Sequence, residues 1–273
     1  MASTLNFNVF TAPEKPLVGD RPRPFGDTMA WDPMTSTLIY GDSDAVLVDT
    51  LTTEAEAEAL AAWVALHHRN LTTIYITHGH LDHFAGVSVL KRHFPTARCV
   101  AAPGAVELAR KQQVAFYRKL LPGRLPAVIP LPDPYNDEVL TLEGHELRII
   151  QQGHTDAADS TSLYVPSLDL VVAGDVLYNQ CHQYVAGLTP ENLANWLAAL
   201  DRLAALNPKV AVAGHKKPGA ADTPEAIEWT KRYLTDFARL REETSGDAEL
   251  FGAMTKQYPG WAAPQAWLMF GLA

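Results

Sequence analysis

The run "LTTIYI" at residues 71–76 passes without a break into "THGHLDHFAG" at residues 77–86. The first part reads as a strand: short, β-branched and aromatic, and apolar enough to be covered on both faces. The second packs His78, His80, Asp82 and His83 into six positions. These residue types are expensive to bury without a partner. A chain with both features ends a buried strand at a loop whose polar groups either turn inward toward something that satisfies them or form a polar, histidine-rich surface turn, and then restarts as a helix. Gly79 gives that loop backbone freedom, and the small pair Ala85 and Gly86 lets the following helix pack close.

Strand and helix patterns alternate along the rest of the chain. "STLIYGDSDAVLVDT" predicts two strands joined at Gly41 and Asp42, and "TTEAEAEALAAWVALHHRN" a helix acidic in its first turn. After the histidine loop come a helix in "FAGVSVLKRHF", a strand in "ARCVAA" and one longer amphipathic helix in "GAVELARKQQVAFYRKLL". Four strand patterns follow, "EVLTL", "HELRIIQQ", "TSLYVP" and "LDLVVAGD". Then come a helix with Thr189 as N-cap before Pro190, and a last strand, "KVAVAG". This alternation predicts one α/β domain over residues 1–273, with its strand-rich core at about 37–218. An extended proline-rich arm is expected over residues 1–30, a capping insert at 103–136 and a helical segment at 223–273.

Composition narrows the function. With 22 Lys and Arg against 31 Asp and Glu, the formal net charge is −9, which opposes nonspecific contact with nucleic acid or an anionic membrane. Neither a secretory signal pattern nor an apolar run of membrane-spanning length is present, so a cytoplasmic location is expected. Cys99 and Cys181 match neither a disulfide framework nor a thiolate metal site and read as ordinary buried thiols.

Imidazole nitrogens and carboxylate oxygens are the donors that zinc and neighbouring divalent ions prefer. "HGHLDH" resembles the signature of the metallo-β-lactamase superfamily. That family's pattern continues with His154 in "QQGHTDAADS", Asp175 in "VVAGDVLY" and His215 in "AVAGHKKPG". The resemblance implies a four-layer αβ/βα sandwich with two divalent ions, Zn²⁺ first and manganese, iron or cobalt as alternatives. It would place His78, His80 and His154 on one ion, and Asp82, His83 and His215 on the other, with Asp175 between them. It also puts Asp49, in "AVLVDT", beneath the metal loop as an orienting group. Two such ions would supply hydroxide at neutral pH and polarise a carbonyl, with Asp82 as general base or proton shuttle and no Ser160 or Cys181 nucleophile.

The segment around Asp175 is similar to acyl-homoserine lactone lactonases, where the position of Tyr178 implies a hydrogen-bond donor to substrate. Apolar cover is expected from Phe116, Tyr117, Leu120, Leu121, Ile129 and Tyr135. The C-terminal Trp261, Trp267, Met269 and Phe270 are expected to line a pocket or form a homodimer surface, and His182 to line the pocket. The expected function is hydrolysis of an ester or lactone of a small, apolar-tailed substrate. Thioester and β-lactam hydrolysis are the alternatives, phosphodiester cleavage is disfavoured by the acidic balance, and a metal-binding structural or interaction protein is the non-enzymatic reading.

Overall fold

Strand residues alternate between two environments, and that alternation fixes the layers. The computed structural model describes residues 4–18 and 29–263. Its strands are β1 (Asn6–Ala12), β2 (Lys15–Pro16), β3 (Ala30–Trp31), β4 (Met34–Tyr40), β5 (Asp44–Val48), β6 (Asn70–Ile76), β7 (Arg98–Ala101) and β8 (Asp133–Pro134). They continue with β9 (Val139–Leu142), β10 (His145–Gly153), β11 (Ser160–Val165), β12 (Leu170–Val172), β13 (Tyr178–Asn179), β14 (Val210–Val212) and β15 (His215–Lys216). The helices are α1 (Glu54–Ala65), α2 (Leu81–Phe84), α3 (Val87–His93), α4 (Pro103–Arg110), α5 (Val114–Leu120), α6 (Pro190–Ala205), α7 (Glu225–Glu243) and α8 (Asp247–Gln257).

One sheet runs in the order β13, β15, β4, β5, β6, β7, β8, with β1 also on β4; the other runs β14, β12, β11, β10, β9. In β5, Val46 and Val48 face the second sheet while Ala45 and Leu47 face helices; in β7, Val100 and the pair Cys99 and Ala101 divide the same way. In the second sheet Leu170 and Val172 meet the first sheet, and Val171 meets the other helical layer. Side chains on successive strand positions point to opposite faces, so each buried strand feeds two cores. Three apolar cores therefore separate four layers: α1 and α3, the two sheets, and α6 with α7 and α8. This is the expected αβ/βα sandwich.

Local signals explain several boundaries. Thr53 and Glu56 form a reciprocal capping box at the start of α1, and the Thr189 hydroxyl accepts from Asn192 N at the start of α6. Two expectations are corrected. Residues 6–12 are not an arm but a seven-residue strand paired antiparallel along β4, because "NFNVFTA" can pair its backbone there and bury alternate side chains. The single helix expected over 104–121 is two, α4 and α5. Ala105, Val106 and Ala109 turn into the core, whereas Phe116 lines a surface cleft; one straight axis cannot serve both. Trp267, Met269 and Phe270 lie outside the described residues. Among the described residues no helix is long and apolar enough to cross a membrane.

Candidate metal centre

Parallel pairing of β5, β6 and β7 delivers three strand ends to one edge of the first sheet, and the loop after β6 occupies that edge. Its path is set by close packing. A Cβ on Gly79 would lie 2.5 Å from Ala105 O and Ala109 N of α4, and one on Gly86 would lie 2.2 Å from Thr50 O. Gly79 is thus required for contact with a helix, more than for the turn freedom expected of it. Asp49, in the left-handed region at φ 63°, accepts from Thr77 N and Thr77 Oγ1, both at 2.9 Å, and lies 2.8 Å from His83 Nδ1. It anchors the loop and aims the far nitrogen of His83 inward. Pro33 O lies 3.1 Å from His215 Nδ1 and orients that ring in the same sense.

Inside this frame two adjoining groups form: His78, His80, Asp156 and Asp175, and Asp82, His83 and His215. Within each group the potential donor atoms lie within 4.8 Å of one another. Asp175 joins them, with Oδ2 3.8 Å from His78 Nε2 and 3.1 Å from His215 Nε2, and Oδ1 3.3 Å from His83 Nε2. His80 Nδ1 is 3.0 Å, and His78 Nε2 3.5 Å, from Asp156 Oδ2. Six of the seven residues expected as ligands are therefore gathered at one place.

His154 is not. It is exposed, and its Nε2 lies 3.4 Å from Asn192 Nδ2 on the surface. The pairing of β10 with β11 shifts register between Gln151 and Gly153, Gly153 adopts φ 75°, and Thr155 N closes a turn on Ala157 O. That irregularity swings His154 outward and brings Asp156 in two residues later. The "GHT" motif points to His154 and passes over Asp156. The acid in "HTD" is the available signal, but without the register shift nothing distinguishes it from a surface aspartate.

The electrostatics suit a cation. Buried, and with no hydrogen-bond partner among the described residues, are His78 Nε2, His83 Nε2, Asp156 Oδ2 and Asp175 Oδ1. Burial drives the His78 imidazolium pKa down to about 4, assisted by His83, leaving that ring neutral. Burial also opposes charge on His215, but Asp175 and Asp82 outweigh it and raise the ring to about 10. Burial likewise pushes Asp175 upward, and His215 with His83 overcome it to hold the carboxyl well below its usual range. Converging carboxylates that draw protons onto neighbouring imidazoles form a site a divalent ion can fill with release of those protons. The residues present fit two such ions.

Tyr178 is fully buried, stacks on His215 at 5.4 Å between ring centroids, and donates its hydroxyl to Asp175 Oδ2 at 3.2 Å. That corrects its expected role as a donor to substrate, because the hydroxyl is already directed at the central carboxylate. His182 is corrected too. It lies in the core beneath the helices, with Nδ1 3.0 Å from the Tyr233 hydroxyl, because its β13–α6 connection turns inward there. The cleft beside the metal groups is lined by His80, Asp82, Trp31, Phe116, Tyr117, Leu120 and Tyr184. Phe116, Tyr117 and Leu120 are where the sequence places them; Leu121 instead joins the core, and Tyr135 packs near the inter-sheet core and donates to Val139 O. Trp31 and Tyr184 escape sequence reasoning. Trp31 also donates its indole N–H to Asp82 Oδ2 at 3.0 Å, a link across 51 residues that no local pattern announces.

A family model described as the metallo-beta-lactamase superfamily matches residues 29–215. The chain belongs to that superfamily. The superfamily assignment makes it a hydrolase with a His and Asp cluster that fits divalent metal. It is similar to a type 2 metallo-beta-lactamase of Bacteroides fragilis, 23% identical over 210 residues that cover 75% of this chain and 76% of that protein. It is also similar to an atrochrysone carboxyl ACP thioesterase of Aspergillus fumigatus, 24% identical over 184 residues, covering 66% of this chain and half of that one. Among solved structures, a metallo-beta-lactamase family protein of Thermus thermophilus superposes with a TM-score of 0.65 at 21% identity, covering 97% of this chain and 91% of that one. For a superfamily member, the third-ligand position is the point where this chain's local geometry departs from the motif it carries.

Proposed function

We propose that this protein is a two-metal hydrolase of a carboxylic ester or lactone on a small molecule with an apolar tail. The observation that carries the reading is the joining of two surfaces in one cleft. His80 and Asp82, from the metal groups, share it with Trp31, Phe116, Tyr117, Leu120 and Tyr184. His78, His80, Asp156 and Asp175 would hold one ion, Asp82, His83 and His215 the other, with Asp175 shared. Bound there, divalent ions activate water at neutral pH and polarise a carbonyl oxygen.

The chain's own groups do the rest. Burial pushes the Asp82 carboxyl upward, but His83 and His215 outweigh it and keep the group ionised. It is thus held as a carboxylate beside the metal groups, while the Trp31 N–H fixes its Oδ2. Aromatic rings around it exclude water from the tail of the substrate and hold the reactive carbonyl at the polar end. Zinc is the first choice of metal, on the imidazole content of the cluster.

A thioester is the second reading, favoured by the similarity to a protein named as an ACP thioesterase. A series of p-nitrophenyl esters, lactones and thioesters of rising acyl length, with nitrocefin and a phosphodiester for contrast, tests both. Turnover of oxygen esters or lactones that improves with chain length is expected. Phe116→Ala or Tyr117→Ala should raise KM for long tails by about tenfold and barely alter it for short ones, the loss of a few buried methylene contacts. Preference for nitrocefin or the phosphodiester, or equal KM effects at all lengths, would overturn the assignment.

A further inference from the structure

The third ligand position is occupied by a carboxylate, and that changes the character of the centre. Asp156 has a fully shielded side chain. Its Oδ1 is taken by the Thr155 hydroxyl at 3.0 Å, while its buried Oδ2 has no hydrogen-bond partner among the described residues and points between His78 and His80. His154, just past the register shift in β10, is exposed and lies beside Asn192 instead.

We infer that Asp156 makes the two sites near-equivalent and shifts the first toward hard divalent cations. The inference rests on the two-metal reading above. With Asp156, the first group offers two imidazoles and one carboxylate besides Asp175, the second offers the same, and Asp175 also lies 3.3 Å from His83 Nε2 and 3.1 Å from His215 Nε2 of the second. A histidine in that position would instead give three imidazoles against two. Imidazole favours zinc, whereas carboxylate oxygen favours manganese(II) and similar hard ions, so replacing one imidazole by a carboxylate narrows the margin by which zinc outcompetes manganese. The third carboxylate also brings the protein charge at the centre to three negative groups, Asp82, Asp156 and Asp175, against two dications. The pair of ions is then more nearly neutralised by protein alone.

Metal binding itself tests this, without reference to turnover. Chelator-stripped protein is titrated with Zn²⁺ and with Mn²⁺, by calorimetry and, for manganese, by the loss of the free-ion paramagnetic resonance signal. Folding of each variant is checked by circular dichroism. The wild type should bind two equivalents of either ion in closely spaced steps. Asp156→Asn, nearly isosteric, should lose one equivalent, and His154→Ala should match the wild type. Asp156→His should keep two zinc sites but raise the zinc-to-manganese affinity ratio of one of them by about tenfold or more. Loss of an equivalent in His154→Ala but not in Asp156→Asn would overturn this assignment and leave the two-metal reading standing. A wild type that binds neither ion would remove both.

Discussion

Asp175 and Tyr178 show how one side chain can act through another. The tyrosine hydroxyl donates to Asp175 Oδ2, the same oxygen that approaches His215 and His78, so the phenol fixes the direction of the shared carboxylate. Tyr178→Phe keeps the stacking on His215 and deletes that bond. Groups that orient a ligand commonly contribute about 10- to 100-fold in metal affinity, so metal binding should weaken by roughly tenfold. With metal saturating, kcat should change little. A large fall in kcat with metal affinity intact would instead put the hydroxyl on the substrate. His182 carries a different consequence. Burial lowers its pKa to about 4 from an ordinary 6.5, so the folded chain holds it neutral while the unfolded chain protonates it on acidification. Its favourable contribution is complete above pH 6.5 and is lost as pH falls toward 4. His182→Asn retains a polar partner for Tyr233 without a titrating ring. Denaturant unfolding should show the wild type losing stability relative to this variant across that window, by an amount on the order of 3 kcal/mol at its limit. Parallel curves would show that the ring titrates normally.

At the level of elements, the centre depends on how closely α4 approaches the loop after β6. Gly79 lies between two members of the first metal group, His78 and His80, and the α4 backbone leaves no room for a Cβ there. Gly79→Ala forces helix and loop apart. Overpacking of this kind costs about 1–3 kcal/mol, so thermal unfolding should move down by several degrees. The first site should lose affinity more than the second, which metal titration resolves. A glycine replaced where its Cβ meets nothing, such as Gly252→Ala in α8, is the control and should leave metal binding unchanged. The histidine loop is legible as an element because strand pattern, glycine and ligand residues are contiguous. The division of residues 104–121 into α4 and α5 is not, since the apolar spacing is compatible with one helix and only the diverging targets, core and cleft, separate them.

On the scale of the whole molecule, the metal groups join the two halves of the sandwich. His78, His80, Asp82 and His83 follow a strand of the first sheet, Asp156 and Asp175 come from connections of the second, and His215 returns to the first. Ions bound there would crosslink layers that separate on unfolding. An ion at a hundred times its Kd stabilises by about 2.7 kcal/mol per site, so two sites give roughly 5 kcal/mol. Removing both with a chelator should lower the unfolding temperature by about 10 °C, and re-addition of metal should restore it. No change in scanning calorimetry would mean that the buried imidazole and carboxylate cluster is satisfied without metal.

Sequence alone determined what is periodic or contiguous. Continuous apolar runs at 46–48 and 170–172 specify strands buried on both faces, and "HGHLDH" places four polar groups in one short stretch, because each signal is carried by residues next to one another. It also carried Asp175 and His215, each at the end of a short apolar run ahead of a turn. Tertiary structure decided what depends on register and on approach. Whether His154 or Asp156 enters the centre is set by a shift between β10 and β11, and strand neighbours swap faces with every residue of shift. The bond from Trp31 to Asp82 and the hydroxyl of Tyr178 on Asp175 depend on rotamers and on chain segments meeting in space. Those are fixed by close packing of the layers, a long-range property that a local pattern of residue types does not encode.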